Sequence, residues 1–247
     1  MIKKTTISYL FLYVIFVLGS TAAFASNDNF LPRNVTVEEA NAKISSAASV
    51  LEEMTAASDK GIIPSALLKK AGAIAVIPDV IEAGLIIAAK LGRGVLVVRE
   101  PDGSWSNPIF MSVEGGSWGL QAGAQSSDII LVFQNRKAVD DMINSSFKLS
   151  AKAGVAAGPI GRTAEAGVNL KFESPIYSYS RSSGLFAGIS LEGSVIEVDH
   201  AANKGLYGKG TKNVSVQDIF SSAVVVNSKQ IERLHGALHD YIAPVTQ

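Results

Sequence analysis

Residues 73–98 read AIAVIPDVIEAGLIIAAKLGRGVLVV. The apolar runs in this stretch, residues 73–77, 85–89 and 95–98, are too short and too rich in β-branched residues for a buried helix. They predict strands. Glycine enters the same apolar segments, and glycine weakens a strand unless a bulge, a tight bend or a close backbone approach requires it. A strongly curled sheet is the architecture that needs glycine in such places. Further strands are expected at residues 109–113, 120–124 and 129–133, with Pro101-Asp102-Gly103 as a turn. Within the curl, Gly119 and Gly123 are expected to mark close backbone approaches.

Helices are expected on both sides of this region. Thr36-Val37-Glu38-Glu39 is a capping box, with Thr36 as N-cap and Glu39 reaching back to it. Val37, Ala40, Ile44, Ala47, Leu51 and Met54 then follow at spacings of three and four, one apolar stripe. Pro64 opens a short second helix that Gly72 closes. Asn135 caps a helix expected to run to about residue 146. Strand-like segments resume at residues 167–172, 176–180, 185–191 and 195–198, and a last helix begins at Asn227 with Ile231, Leu234, Leu238 and Tyr241 on one face. No linker and no fixed-period repeat interrupts the chain. The expectation is an α+β fold: a glycine-rich, strongly curled antiparallel sheet or barrel-like core, with N-terminal and C-terminal helices packed on it.

The first 25 residues read as a cleavable signal peptide. Lys3 and Lys4 precede a ten-residue apolar run, residues 9–18, and Ala23-Phe24-Ala25 supplies the small-x-small cleavage pattern. The run is about half the ~20 residues that span a bilayer, so cleavage is favoured over an anchor. Residues 26–34 are an exposed leader and residues 35–247 a single domain. The product is expected to be periplasmic or secreted, soluble or peripheral to a membrane. Removing Lys3 and Lys4 from 22 basic and 22 acidic residues leaves 20 against 22. That balance argues against a nucleic-acid partner. There are no cysteines, and about 222 residues suffice for a core without disulfide staples.

Motifs for catalysis are weak. Gly115-Gly116-Ser117-Trp118-Gly119 matches G-x-S-x-G, but a nucleophile elbow needs a helix after the Ser, and the residues that follow alternate like a strand. His235 and His239 stand four apart without the Glu of a zincin. Gly92-Arg93-Gly94 lacks the last glycine of a dinucleotide fingerprint. No metal, no cofactor and no catalytic residue is expected. Gly158-Pro159-Ile160-Gly161-Arg162 reads first as an ordinary turn, and secondarily as an anion-binding turn in which Arg162 adds a forked donor.

Longer stretches carry a resemblance. They are residues 63–71 (IPSALLKKA), 92–97 (GRGVLV), 103–108 (GSWSNP), 115–125 (GGSWGLQAGAQ), 157–162 (AGPIGR) and 177–188 (YSYSRSSGLFAG). In order and spacing, residues 60–209 resemble the SYLF domain, also called the yeast actin-patch protein family, in its bacterial exported branch. The resemblance implies a non-enzymatic, phospholipid-binding module. Eukaryotic members bind phosphoinositides, some bind actin filaments, and a basic amphipathic N-terminal segment contributes to membrane contact. Here the first helix is acidic, with Lys43 its only basic residue.

The leading expectation is therefore binding of anionic phospholipid at a membrane surface. Its candidate residues are Leu67 and Leu68 as the apolar contribution, with Lys69, Lys70, Arg93, Arg162 and Arg181 on phosphates. The alternative is a structural or protein-interaction module of the cell envelope, of envelope-stress type, without intrinsic lipid binding.

Overall fold

The computed structural model of the chain describes residues 34–56, 63–84, 87–118, 123–143, 147–149, 155–160, 174–183, 185–189, 191, 193–208, 215–221, 224 and 226–242. Val35–Gln247 forms one compact unit. The expected signal peptide, the expected strand at 167–172 and Arg162 lie outside the described residues.

The first helix, α1 (Val37–Ala56), begins as its local sequence dictates. The Thr36 amide donates to the Glu39 carboxylate at 2.8 Å, and the Glu39 amide donates to the Thr36 hydroxyl at 3.2 Å. The Thr36 hydroxyl also donates to the Glu39 carboxylate, at 3.0 Å. The Thr36 amide and hydroxyl together hold the Glu39 carboxyl below its ordinary value, the amide contributing most. Ala40, Ile44, Ala47, Ala48, Leu51 and Met54 are buried, so the stripe faces inward. A five-residue helix, α2 (Ser65–Lys69), follows Pro64.

Four long strands come next: β1 (Ala73–Gly84), β2 (Ile87–Val98), β3 (Ile109–Trp118) and β4 (Gly123–Phe133). They are longer than the sequence suggests, because the expected interruptions are bridged. Pro78 has no amide to give the ladder, and the register of β1 shifts around it against both β2 and β4. Asp79 takes a left-handed conformation there (φ 56) and its amide donates to Asp128 Oδ1 at 3.1 Å. Gly92 and Gly94 lie inside β2 and do not end it. A Cβ on Gly94 would collide with the carbonyl oxygen of Val76 and the Cα of Ile77. This is the close approach that the curl requires. The expectation for Gly123 is corrected: a Cβ there meets nothing within 4 Å, and its constraint is a positive φ of 153°. Gly119 lies outside the described residues.

The chain continues through α3 (Arg136–Ile143), capped by the Asn135 side chain accepting from the Ala138 amide at 2.9 Å. Then come β5 (Phe147–Leu149), β6 (Val155–Ala157), β7 (Ile176–Ser182), β8 (Leu185–Gly188) and β9 (Ser194–Val198). The path across the sheet is β5-β9-β3-β2-β1-β4-β7-β6, with β8 beside β7. Among the described residues no pairing joins β5 to β6, so the curl is an open half-barrel and not a closed barrel. One pair departs from the antiparallel expectation: β6 runs parallel to β7, which makes the sheet mixed.

Two helices that the periodicity did not suggest follow the sheet: α4 (His200–Tyr207) and α5 (Val216–Phe220). The last helix, α6 (Lys229–Ile242), buries Ile231, Leu234, Ala237 and Leu238. It packs along α1, where Arg233 spans the two oxygens of Glu52. The α+β expectation with helices at both ends of the sheet region holds. Among the described residues no helix is long and apolar enough to cross a membrane.

Tyr207 and Tyr179 are fully buried, and their hydroxyls donate to the carbonyls of Pro108 (2.7 Å) and Pro159 (3.2 Å). Burial pushes both phenols well above the ordinary tyrosine value of 10.0. The folded protein therefore keeps protons that the unfolded chain releases near pH 10. Their contribution to stability is complete below about pH 10 and is lost as pH rises beyond it. Denaturant titrations at about pH 8 and about pH 11 should show lower stability at the higher pH. In a Tyr179→Phe/Tyr207→Phe variant that difference should shrink.

A candidate anion-binding surface

The expected site residues separate into three groups. Leu67 and Leu68 are corrected first. They are 0% and 3% exposed and belong to the core beneath α2. Their position beside two lysines reflects the two faces of one helical turn. They offer no apolar contact to a membrane in this conformation.

Arg93 and Arg181 form the second group, and both are engaged inside the fold. Arg93 on β2 pairs with Asp199, whose other oxygen accepts from the Ala202 amide at 2.9 Å and so caps α4. Arg181 on β7 binds Asp128 on β4 (Nε–Oδ2 2.7 Å) and Glu53 on α1. Burial works against the Arg181 charge, and the bonds to Glu53 and Asp128 more than offset it. Lys43, on the inward side of α1, stands 3.9 Å from Asp79, and burial pushes its ammonium below the usual lysine value. These groups tie α1 and α4 to the sheet. Neither arginine stands as the free surface cation that a phosphate contact expects: Arg93 gives its Nε to Asp199, and Arg181 gives its guanidinium to Asp128 and Glu53.

Lys69 and Lys70 form the third group. Both are exposed at the end of α2. The carbonyl of Lys69 accepts from Arg99 Nη1 at 2.9 Å, and the Arg99 amide donates to the Gly72 carbonyl at 2.8 Å. The α2 lysines thus begin beside Arg99, at the end of β2.

Residues 99–108 leave β2 and return as a tight loop. Arg99 and Trp105 form a bridge pair, the Glu100 amide donates to the Ser104 carbonyl, and the Gly103 amide donates back to Glu100. The buried Ser106 hydroxyl accepts from the Val98 amide at 3.0 Å and fixes the loop to the strand. The Arg99 guanidinium lies over the indole of Trp105, 5.5 Å from its centre. Opposite stands α6, whose His235 donates from Nε2 to the Ser106 carbonyl at 3.0 Å. Between loop and helix runs a groove of about 500 Å³ lined by Arg99, Trp105, His235, Gly236 and His239. Arg99 and the two histidines were not singled out as ligands of an anion. The signal available was residues 103–108, which place Trp105 in the loop.

Ser117 sits on β3 opposite Ala88, and the next described element is the strand β4. Among the described residues the strand–turn–helix order of a nucleophile elbow is not present. His235 is directed to the Ser106 carbonyl, and His239 Nδ1 lies 3.5 Å from Asp240. Among the described residues there is no group of three potential metal ligands.

With this geometry in place, comparison with known proteins gives a consistent result. A family signature described as "Ysc84: Las17-binding protein actin regulator" matches residues 114–241, just over half of the 247 residues. The chain belongs to the Ysc84 (SYLF) family. Similar proteins include the rat SH3 domain-containing YSC84-like protein 1, 34% identical over 73% of this chain and 53% of its own length. The human protein of the same name is 33% identical over 73% of this chain and 52% of its own. Protein YSC84 of Saccharomyces cerevisiae is 36% identical over 60% of this chain and 32% of its own. The Ysc84-family chain thus spans about half the length, or less, of the relatives it matches.

Proposed function

We propose that this Ysc84-family chain is an exported, non-enzymatic module that binds anionic phospholipid at a membrane surface, through the end of the fold carrying Lys69, Lys70 and Arg99. The observation that carries the reading is the exposure of Lys69 and Lys70 next to the Arg99–Trp105 groove, on an exported chain that would carry 20 basic and 22 acidic residues. Local positive charge on a slightly acidic protein attracts an anionic surface without general affinity for polyanions. Each Lys or Arg at such a surface contributes about 1 kcal/mol. Three cations therefore give weak, reversible attachment. The apolar part falls to Trp105, since Leu67 and Leu68 are core. Export rests on the first 25 residues, and an exported product beginning at Ser26 is the matching observation.

A second reading is favoured by the family description, which names a protein partner, Las17. In that reading the same basic end docks an acidic protein segment. Vesicle co-sedimentation separates the two. The protein from Ser26 onward should sediment with phosphatidylcholine vesicles containing phosphatidylglycerol and not with phosphatidylcholine alone. Binding should weaken as salt rises, because screening acts over about 8 Å at physiological ionic strength. Lys69→Glu/Lys70→Glu should lower affinity about tenfold or more. Wild-type protein that stays in the supernatant with anionic vesicles at low salt would favour the protein-partner reading.

A further inference from the structure

The groove between the 99–108 loop and α6 is built more specifically than a basic surface requires. Arg99 is held on two sides, by the carbonyl of Lys69 and by the face of Trp105. Its Nε is buried and has no hydrogen-bond partner. The nearby carboxylates keep their negative charge, and each has a partner of its own: Asp240 lies 3.5 Å from His239 Nδ1. The Asp102 carboxylate accepts from the Ser104 amide (2.9 Å) and hydroxyl (2.6 Å), which keep its carboxyl below the ordinary value. Glu100 turns toward Arg136, 3.6 Å away. The fourth wall is open: Gly236 on α6 presents no side chain, and a Cβ there would meet nothing within 4 Å. His239, one turn along, is largely exposed at the rim.

We propose that this groove is a headgroup site that takes a phosphate monoester of a phospholipid, with the Arg99 guanidinium and His239 on the phosphate and the Trp105 indole against the glycerol end. A forked guanidinium matches phosphate oxygens, and a planar indole suits the boundary between polar and apolar material. The volume of about 500 Å³ accommodates a glycerophosphate headgroup. The proposal rests on the anionic-surface reading above. It adds a defined pocket and a preference for the more highly charged monoester over a diester.

The test uses a Trp118→Phe background, in which Trp105 is the only tryptophan. Its fluorescence is titrated with glycerol 3-phosphate, and separately with phosphatidylcholine vesicles containing phosphatidic acid or phosphatidylglycerol. A saturable change with glycerol 3-phosphate and tighter binding to phosphatidic acid vesicles are expected. Arg99→Gln should weaken both about tenfold. Because Arg99 also supports α2, a second variant is needed. Gly236→Leu fills the groove from an open helix position, leaves every charge in place, and should abolish the response to glycerol 3-phosphate. An unresponsive Trp105, together with unaltered vesicle binding by Gly236→Leu, overturns the groove while leaving the Lys69–Lys70 surface intact. A response to glycerol 3-phosphate by a protein that binds no anionic vesicle overturns the lipid source and the surface reading together. It would leave a site for a free phosphate ester.

Discussion

Replacing Asp199 by alanine is expected to destabilise the protein by about 3–5 kcal/mol, enough to threaten folding at physiological temperature. Asp199 performs two tasks at one turn. One oxygen caps α4 through the Ala202 amide, and the other pairs with Arg93. Both side chains of that pair are largely buried. The alanine variant leaves the Arg93 guanidinium in the interior without its carboxylate, and that uncompensated charge is the dominant cost. Loss of the cap adds about 1 kcal/mol. Removing the second charge should recover much of the loss, so Arg93→Met/Asp199→Ala should be more stable than Asp199→Ala alone. Urea denaturation measures both. A loss below about 1 kcal/mol in Asp199→Ala would mean that the pair is not an internal tie, and would return Arg93 to the list of possible phosphate ligands.

Gly94→Ala should cost about 3 kcal/mol, the upper range of overpacking penalties. The added methyl falls on backbone atoms, the Val76 carbonyl oxygen and the Ile77 Cα, with Ile77 Cγ1 at 2.8 Å. Backbone cannot yield there without opening the β1–β2 ladder, in which Val76 faces Val95. The control lies on the neighbouring strand. A Cβ on Gly116 would meet only the Ala88 carbonyl at 3.7 Å, so Gly116→Ala should be close to neutral. Equal effects at the two positions, measured by thermal unfolding, would show that the close approach at Gly94 does not shape the sheet.

These two residues also show what the sequence could and could not disclose. Elements fixed by neighbours three or four residues apart were legible: the Thr36–Glu39 box, the α1 stripe, the Asn135 cap and the apolar face of α6. Strand cores were legible too. Their extent was not, because Pro78, Gly92 and Gly94 look like breaks and act as bulge and contact points within continuous strands. α4 was hidden by Gly205 in its middle. That glycine is required because the Val35 carbonyl lies against it. α5 carried a readable signal, the capping box of Ser215 and Asp218.

The site failed for a different reason. Arg93 and Arg181 look like free cations in a sequence because their carboxylates are 106, 53 and 128 residues away. Only the fold brings them together. Leu67 and Leu68 were misplaced because one short helical turn gives no periodicity to say which face is inside. Lys69 and Lys70 were placed on the surface as expected. Their neighbour Arg99 owes its position to a strand end and a loop that no local pattern joins to α2.

In the proposed function, anionic membranes are met by the α2–Arg99–α6 end of the fold and not by the paired arginines. Hydrogen–deuterium exchange with and without vesicles of phosphatidylcholine and phosphatidic acid tests it most directly. Added protection is expected in peptides covering residues 65–70, 99–105 and 235–239, with no change around Arg93, Asp128 and Arg181. Protection concentrated instead at residues 81–91 and 123–126, the far ends of the long strands, would contradict it.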